Sequence, residues 1–209
     1  MNKISRSTLA ILVILLVIVI DQILKIWIKT NMYLYETIEI TSWFKIRFVE
    51  NNGMAFGLEV IGKLFLSLFR IIFVVFIVYY LHLIIKKKYR KGYVACIALI
   101  LAGAFGNIID GVFYGEIFSA STPYQISTFV PLGEGYSDWL HGKVVDMFYF
   151  PLFNGTFPSW FPFVGGEPFE FFSAIFNIAD AAITVGMILL LIFFRKELTE
   201  SMHSEKNEK

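Results

Sequence analysis

The sequence predicts a mainly α-helical membrane protein with four transmembrane helices, a small extracytoplasmic β-sheet and a long extracytoplasmic loop region. Of its 209 residues, 57% are hydrophobic and only 17% are charged, which is unlike the usage of a soluble domain. Four apolar runs are each long enough to cross the ~30 Å hydrocarbon core of a bilayer. The segments between them are too polar or too rich in proline to do so. We therefore expect a single integral membrane domain over residues 1–209.

The first predicted span covers about 9–28. A basic start followed by an apolar run resembles a secretory signal peptide, but no small-residue cleavage site follows and the run ends on Trp27, so we expect an uncleaved helix. Asp21 and Lys25 lie four residues apart within it and so share one helical face. This pair either anchors the helix end or supports a polar site.

The segment 29–63 changes to a period of two, in which apolar residues such as Phe48 alternate with charged ones such as Arg47. Alternation of this kind predicts strands, so we expect a small amphipathic sheet on the membrane face. The segment then reaches Asn52 and Gly53. That dipeptide is a turn signal first, and a role in a polar site is the alternative.

The second and third predicted spans cover about 64–85 and 93–109. Between them, five positive charges fall within the six residues Lys86–Lys91, which is typical of a cytoplasmic loop. Arg70 and His82 interrupt the second span. We interpret both as side chains that reach from the helix toward the membrane surface.

The pattern Asn-x-x-Asp occurs at Asn107 and Asp110, at the end of the third span, and again at Asn177 and Asp180, in the fourth span of about 171–194. Residues three apart on a helix share a face, so each motif presents an amide and a carboxylate to one cavity. An ionised aspartate in hydrocarbon costs roughly 2.5 to 3.5 kcal/mol, which makes each a functional candidate. The repetition by itself favours a pairing of Asp110 with Asp180.

The region 110–170 contains no run long enough to span, and its aromatic residues suit the level of the lipid headgroups. A β-prone stretch within it carries Asp146. Because this region has a single Lys or Arg, Lys143, and the other basic clusters lie near both ends and in the second loop, both termini are expected to be cytoplasmic. The polar tail, about 197–209, is expected to be disordered.

Several classes of protein are excluded or disfavoured by composition. Cys96 is the only cysteine, so the chain cannot form an internal disulfide or a cysteine-rich zinc site, and we expect no metal and no cofactor. A net charge of +1 without a clustered basic face argues against nucleic acid as a partner. No serine triad, HExxH or phosphate-loop pattern is present.

Two aspartates held close together share one proton and can act as general base and general acid on an amide, as in an aspartic protease. Carboxylates inside a membrane also suit a small proton-coupled transporter, which is the alternative. The absence of inverted repeats over more spans disfavours that alternative.

Five ordered motifs resemble the lipoprotein signal peptidase family, also called signal peptidase II. The resemblance implies an aspartic endopeptidase of the bacterial cytoplasmic membrane, with its active site toward the outer face. It implies diacylglyceryl-modified prolipoproteins as substrates, cut before the modified cysteine, with membrane lipids and globomycin-type inhibitors as further partners. The motifs are Asp21-Gln22-x-x-Lys25, Asn52-Gly53-x-Ala55-Phe56, Gly103-x-x-Gly106-Asn107-x-x-Asp110, Val144-Val145-Asp146 and Phe176-Asn177-x-Ala179-Asp180.

The same resemblance implies that the catalytic pair is Asp146 with Asp180, which leaves Asp110 a supporting role. The other supporting or substrate-binding residues that it implies are Asp21, Lys25, Asn52, Gly53, Asn107, Asn177 and Ala179.

This chain departs from the family pattern in two ways. Gly111 stands where the family usually has arginine directly after Asn-x-x-Asp, and we hypothesise that Lys143 or Arg47 supplies the missing cation. The loops 115–140 and 150–173 are longer than in the family, and the first is a candidate lid over the site.

Overall fold

The computed structural model describes residues 4–52 and 63–204. Gly53, Ala55 and Phe56 of the second motif therefore lie outside the described residues. In chain order the elements are α1 (Arg6–Asn31), β1 (Thr37–Thr41), β2 (Phe44–Asn51), α2 (Lys63–Lys86), α3 (Lys91–Ile109), a π-helical turn (Asp110–Tyr114), α4 (Gly115–Ile117), β3 (Val144–Tyr149), β4 (Phe153–Thr156), β5 (Pro168–Phe171), β6 (Ile175–Phe176), α5 (Ile178–Phe193) and α6 (Arg195–Ser204).

Within residues 4–52 and 63–204, three helical stretches are long and apolar enough to cross a membrane. They are Arg6–Asn31, Ser67–Lys86 and Lys91–Ile117. The 16-residue α5 reaches that length only together with α6, from which it is bent by 91°. The predicted class, a mainly helical membrane protein with small antiparallel sheets, is confirmed at this level.

The helix boundaries differ from the sequence prediction in three places. The third helix continues through its π-helical turn to Ile117 rather than stopping near 109. The fourth begins at Ile178 rather than near 171, because Asn177 caps it and Ile175–Phe176 pairs as a strand. The start of the expected disordered tail is helical in α6, where Glu197 pairs with Arg90 at 2.9 Å.

Close contact between α3 and α5 depends on glycine. A Cβ atom added at Gly103 would lie 2.2 Å from the backbone oxygen of Ala179, and one at Gly186 would lie 2.9 Å from that of Cys96. Small residues let helices approach to backbone contact inside a membrane. This approach brings the end of α3, which carries Asn107, against the start of α5.

The main sheet is antiparallel, with strand order β1-β2-β3-β6, and β4 with β5 forms a separate hairpin. The register pairs Val49 with Asp146 and Tyr149 with Ile175. Buried Phe48, Val145 and Met147 belong to the same apolar cluster as Ile28 of α1. Because β6 runs directly into α5, the sheet holds Asp146 beside the start of that helix.

Candidate active site

Asp180 lies in the first turn of α5 and is fixed there by a reciprocal cap. Its backbone N–H donates to Asn177 Oδ1 at 2.9 Å, and its carboxylate accepts the backbone N–H of Asn177 at 3.3 Å. Such a capping box satisfies two backbone donors that a helix start otherwise leaves unpaired. The Asp180 carboxylate is consequently held at the helix end, only half-buried, where a substrate or water can reach it.

Asp146 projects from β3 into the same place and is 3% exposed. Asn177 Nδ2 donates to its Oδ1 at 2.7 Å, and Asn51 Nδ2 donates to its Oδ2 at 3.2 Å. Burial, together with the negative charge of Asp180, raises the pKa of the Asp146 carboxyl to about 7. A group with that pKa can both hold and release a proton near neutral pH.

Asn107 connects the two aspartates to a buried lysine. Its Nδ2 donates to Asp180 Oδ1 at 2.8 Å, while its Oδ1 accepts from Lys25 Nζ at 2.8 Å and from Asn177 Nδ2 at 3.1 Å. Every polar atom of this amide therefore has a partner. The two Asn-x-x-Asp motifs meet through their asparagines.

Below the amides lies a fully buried ionic cluster. Lys25 Nζ is 2.9 Å from both Asp21 Oδ2 and Asp110 Oδ2, and all three side chains are 0% exposed. Gln22 Nε2 donates to Asp21 at 3.1 Å and to Asp110 at 3.0 Å. Burying one ammonium with two carboxylates is tolerated only where hydrogen bonds also satisfy the remaining atoms. Gln22 fills that need, so the cluster is a rigid support.

The two aspartates of that cluster also accept hydrogen bonds from backbone N–H groups. Asp21 Oδ1 accepts the N–H of Ala179 at 2.9 Å, and Asp110 Oδ2 accepts the N–H of Val145 at 3.2 Å. Ala179 directly precedes Asp180, and Val145 directly precedes Asp146. Each buried aspartate thus positions the residue next to one candidate catalytic aspartate.

The structure brings most of the predicted site residues together. Asn52 differs, since its side chain is exposed and the neighbouring Asn51 contacts Asp146 instead. Asn51 is two residues from Val49, the partner of Asp146, and so faces the same side of the sheet, a register that the sequence does not show. Those that meet are Asp21, Lys25, Asn107, Asp110, Asp146, Asn177, Ala179 and Asp180.

A second ionic cluster lies at the edge of the site. It contains Lys143, one of the two cations that the sequence offers in place of the family arginine. Lys143 Nζ binds Glu50 Oε2 at 2.9 Å, and buried Lys29 binds Glu50 Oε1 at 2.5 Å. Burial tends to raise the pKa of Glu50, but the two lysines outweigh it and the pKa is lowered. Arg47 lies with its guanidinium 5.8 Å from the centre of the Tyr149 ring.

The loop 115–140 packs against this second cluster. Ser121 Oγ accepts from Lys29 Nζ at 2.9 Å and donates to Glu50 at 2.8 Å, and the backbone N–H of Lys143 donates to the Tyr136 hydroxyl at 2.8 Å. The loop is thus tied to α1 and β2.

No group of three or more side chains suited to a metal occurs among residues 4–52 and 63–204.

The fold, together with buried carboxylates at a helix end, is typical of a membrane-embedded enzyme, and similar solved structures agree. One bacterial membrane enzyme has a TM-score of 0.63 and 26% identity and covers 96% of this chain and 95% of its own. A second bacterial membrane enzyme has a TM-score of 0.57 and 27% identity, and the match covers 88% of this chain and 90% of that enzyme.

The family described as signal peptidase (SPase) II matches residues 13–196, and the chain belongs to it. A lipoprotein signal peptidase of Porphyromonas gingivalis is 47% identical over 99% of this chain and 91% of that protein. A lipoprotein signal peptidase of Amoebophilus asiaticus is 34% identical over 89% of this chain and 77% of that protein. Membership in this family makes the chain a peptidase that removes signal peptides, rather than the transporter that the residues alone had left open.

Proposed function

We propose that this peptidase removes signal peptides from prolipoproteins by cleaving before a diacylglyceryl-modified cysteine, and that it is an aspartic endopeptidase whose catalytic pair is Asp146 and Asp180. One observation carries the assignment of the pair: a single residue, Asn177, binds both carboxylates, with its Nδ2 donating to Asp146 Oδ1 and its backbone N–H donating to Asp180 Oδ2. The names of the relatives, lipoprotein signal peptidases, support the choice of substrate.

The proposed reaction uses one proton shared by the two carboxyls. The ionised carboxylate accepts a proton from water as the water oxygen attacks the scissile carbonyl carbon. The protonated carboxyl then donates its proton to the amide nitrogen as the carbon–nitrogen bond breaks. Because burial and the charge of Asp180 raise the pKa of Asp146 to about 7, this carboxyl can carry a proton near neutral pH.

Other site residues serve this pair without taking part in proton transfer. Asn107 orients Asp180 through a 2.8 Å hydrogen bond, while Asp21 and Asp110 hold the adjoining backbone. Lys25 offsets their negative charge. Asn52 and Gly53 are proposed as supporting or substrate-binding residues, and a globomycin-type inhibitor is proposed to bind at the carboxylate pair.

The protein is proposed to lie in the bacterial cytoplasmic membrane with four spans, both termini cytoplasmic and the site toward the outer face. The distribution of basic residues supports this orientation. The β4–β5 hairpin adds support, because Trp160 is 77% and Phe163 fully exposed. Aromatic side chains that face outward suit the lipid headgroup level, where the acyl chains of a lipidated substrate would enter.

The test is cleavage of a purified, diacylglyceryl-modified prolipoprotein, followed by gel shift. Asp146→Asn and Asp180→Asn should each lower the rate by about 100- to 10,000-fold, which is the usual contribution of general acid–base catalysis. Asp110→Asn should retain measurable turnover, since Asp110 is a supporting residue. Asp138→Asn, which changes an exposed aspartate outside the site, is the matched control.

Thermal unfolding in detergent must show that each variant is folded. If folded Asp146→Asn cleaves at the wild-type rate while folded Asp110→Asn is inactive, the catalytic pair is Asp110 with Asp180. A wild-type enzyme that leaves the lipidated substrate intact would refute the proposed function itself.

A further inference from the structure

Arg70 points into the protein, although its position in an apolar span had suggested that it reaches the membrane surface. It lines a narrow cleft together with Ser67 of α2 and with Asn107, Ile108, Gly111 and Val112 of the third helix. Its neighbours Phe69 and Ile72 are 57% and 68% exposed on the outer side of α2. A charged side chain within a span faces protein or water where it has a function.

The charge balance of the site calls for a second cation. Four carboxylates, those of Asp21, Asp110, Asp146 and Asp180, gather there, and Lys25 directly contacts only the first two. The hydrogen bonds described above for Asp146 and Asp180 come from amides. Arg70 lies near enough to Asp180, Asp110 and Asp146 for its positive charge to act on all three carboxylates.

The cleft has room for a side chain at Gly111. A Cβ atom added there would meet only Ser67 Oγ, at 3.9 Å, which is an ordinary contact. That hydroxyl is held by a 2.8 Å hydrogen bond to the carbonyl oxygen of Leu140. An arginine from either position, 70 or 111, would therefore enter the same space beside Asn107.

We propose that Arg70 is a positioning residue of the peptidase, whose guanidinium supplies from α2 the positive charge beside Asp180 and Asp146 that the chain lacks at Gly111. This proposal rests on the proposed function. Lys143 is held by Glu50, and Arg47 lies over Tyr149, so the structure favours Arg70 over both cations considered from the sequence. Its charge keeps the two carboxylates close together, in the arrangement in which one activates the attacking water and the other protonates the leaving nitrogen.

The test compares wild type, Arg70→Gln, Arg70→Lys and the double variant Arg70→Gln/Gly111→Arg on the lipidated prolipoprotein. Arg70→Gln should lower kcat by about 100-fold, the typical loss when one preorganised electrostatic partner is removed, with KM changed less than about threefold. Arg70→Lys should recover about tenfold of that loss, because it keeps the charge without the planar guanidinium. His82→Gln, which removes an exposed imidazole of α2 that lies outside the cleft, is the control.

The double variant separates an electrostatic role from a structural one. It should regain at least about tenfold in kcat over Arg70→Gln, since the charge returns to the same cleft. Arg70→Gln with kcat within about threefold of wild type would overturn the proposal. A double variant that regains thermal stability without regaining kcat would also overturn it. In both cases an active wild type leaves the proposed function standing, whereas an inactive wild type would refute that function first.

Discussion

Asn177 performs three tasks with one short side chain. Its carbonyl oxygen caps α5, and its amide donates to Asp146 at 2.7 Å and to Asn107 at 3.1 Å. An aspartate in its place could cap the helix but could not donate a hydrogen bond while ionised, and it would add another negative charge. The amide therefore links the Asp146 carboxylate to Asn107, which donates to Asp180, without repelling either carboxylate.

The raised pKa of Asp146 makes a prediction about stability. Its pKa is about 7 in the folded protein and about 3.9 in an unfolded chain, so between these values the folded state binds more protons. The contribution of Asp146 to the free energy of unfolding is therefore fully present below about pH 4 and is lost as the pH rises through about 7. Asp146→Asn should flatten this dependence and raise the unfolding temperature at pH 8. Thermal unfolding in detergent from pH 5 to 8 measures it.

The matched control for that prediction is Asp138→Asn. Because Asp138 is exposed, the variant should follow the wild-type curve across the same pH range. A steep wild-type slope that persists in Asp146→Asn would show that another group takes up the proton.

At the scale of secondary-structure elements, α1, β2 and the loop 115–140 are held together by the buried Lys29–Glu50 pair. The side chains of Lys29 and Glu50 are 0% and 3% exposed. Glu50→Gln should lower the free energy of unfolding by about 3 to 5 kcal/mol, because it leaves a lysine buried without its counter-ion. Denaturant titration in detergent micelles measures the loss.

Glu39→Gln provides the comparison on the same sheet. Glu39 is 63% exposed and pairs with Lys45 at 3.0 Å, and an exposed pair of this kind contributes about 0 to 1 kcal/mol. Equal losses in the two variants would contradict the view that burial makes the Glu50 pair important.

The limits of sequence reasoning also appear at this scale. The spans were predictable because hydrocarbon demands long apolar runs. The start of α5 could not be predicted. The residues before Asn177 are as apolar as the helix itself, and periodicity cannot separate a short strand from a helix there. Arg70 was assigned to the membrane surface because a sequence does not show which neighbour a helix face meets. The choice of Asn52 rather than Asn51 depended on strand register in the same way.

At the scale of the whole molecule, the distribution of basic residues predicts that the loop 115–140 lies outside the membrane and the end of α2 lies in the cytoplasm. Tyr124 is 91% exposed in the loop 115–140, and Lys86 is exposed where α2 ends. In right-side-out membrane vesicles, Tyr124→Cys should react with a membrane-impermeant maleimide, whereas Lys86→Cys should react only after permeabilisation. The unsubstituted protein is the control, since Cys96 is 3% exposed. Labelling of Lys86→Cys in sealed vesicles would contradict the orientation.

The motifs could be assigned to one site before the fold was known, because five short patterns in a fixed order are specific together. The individual roles of the residues in these motifs could not be predicted in the same way. Asp21 and Asp110 act on the backbone beside Asp180 and Asp146, and only the folded structure shows that Asp21 of α1 meets the start of α5 whereas Asp110 meets β3.

The shortness of α5 has a consequence for the surrounding lipid. Sixteen residues at 1.5 Å each span about 24 Å, less than the ~30 Å hydrocarbon thickness of an ordinary bilayer, and the chain turns by 91° where the helix ends. Such a hydrophobic mismatch is relieved when the bilayer thins locally. We expect the end of α5 that carries Asp180 to lie where the bilayer is locally thinned, within reach of water.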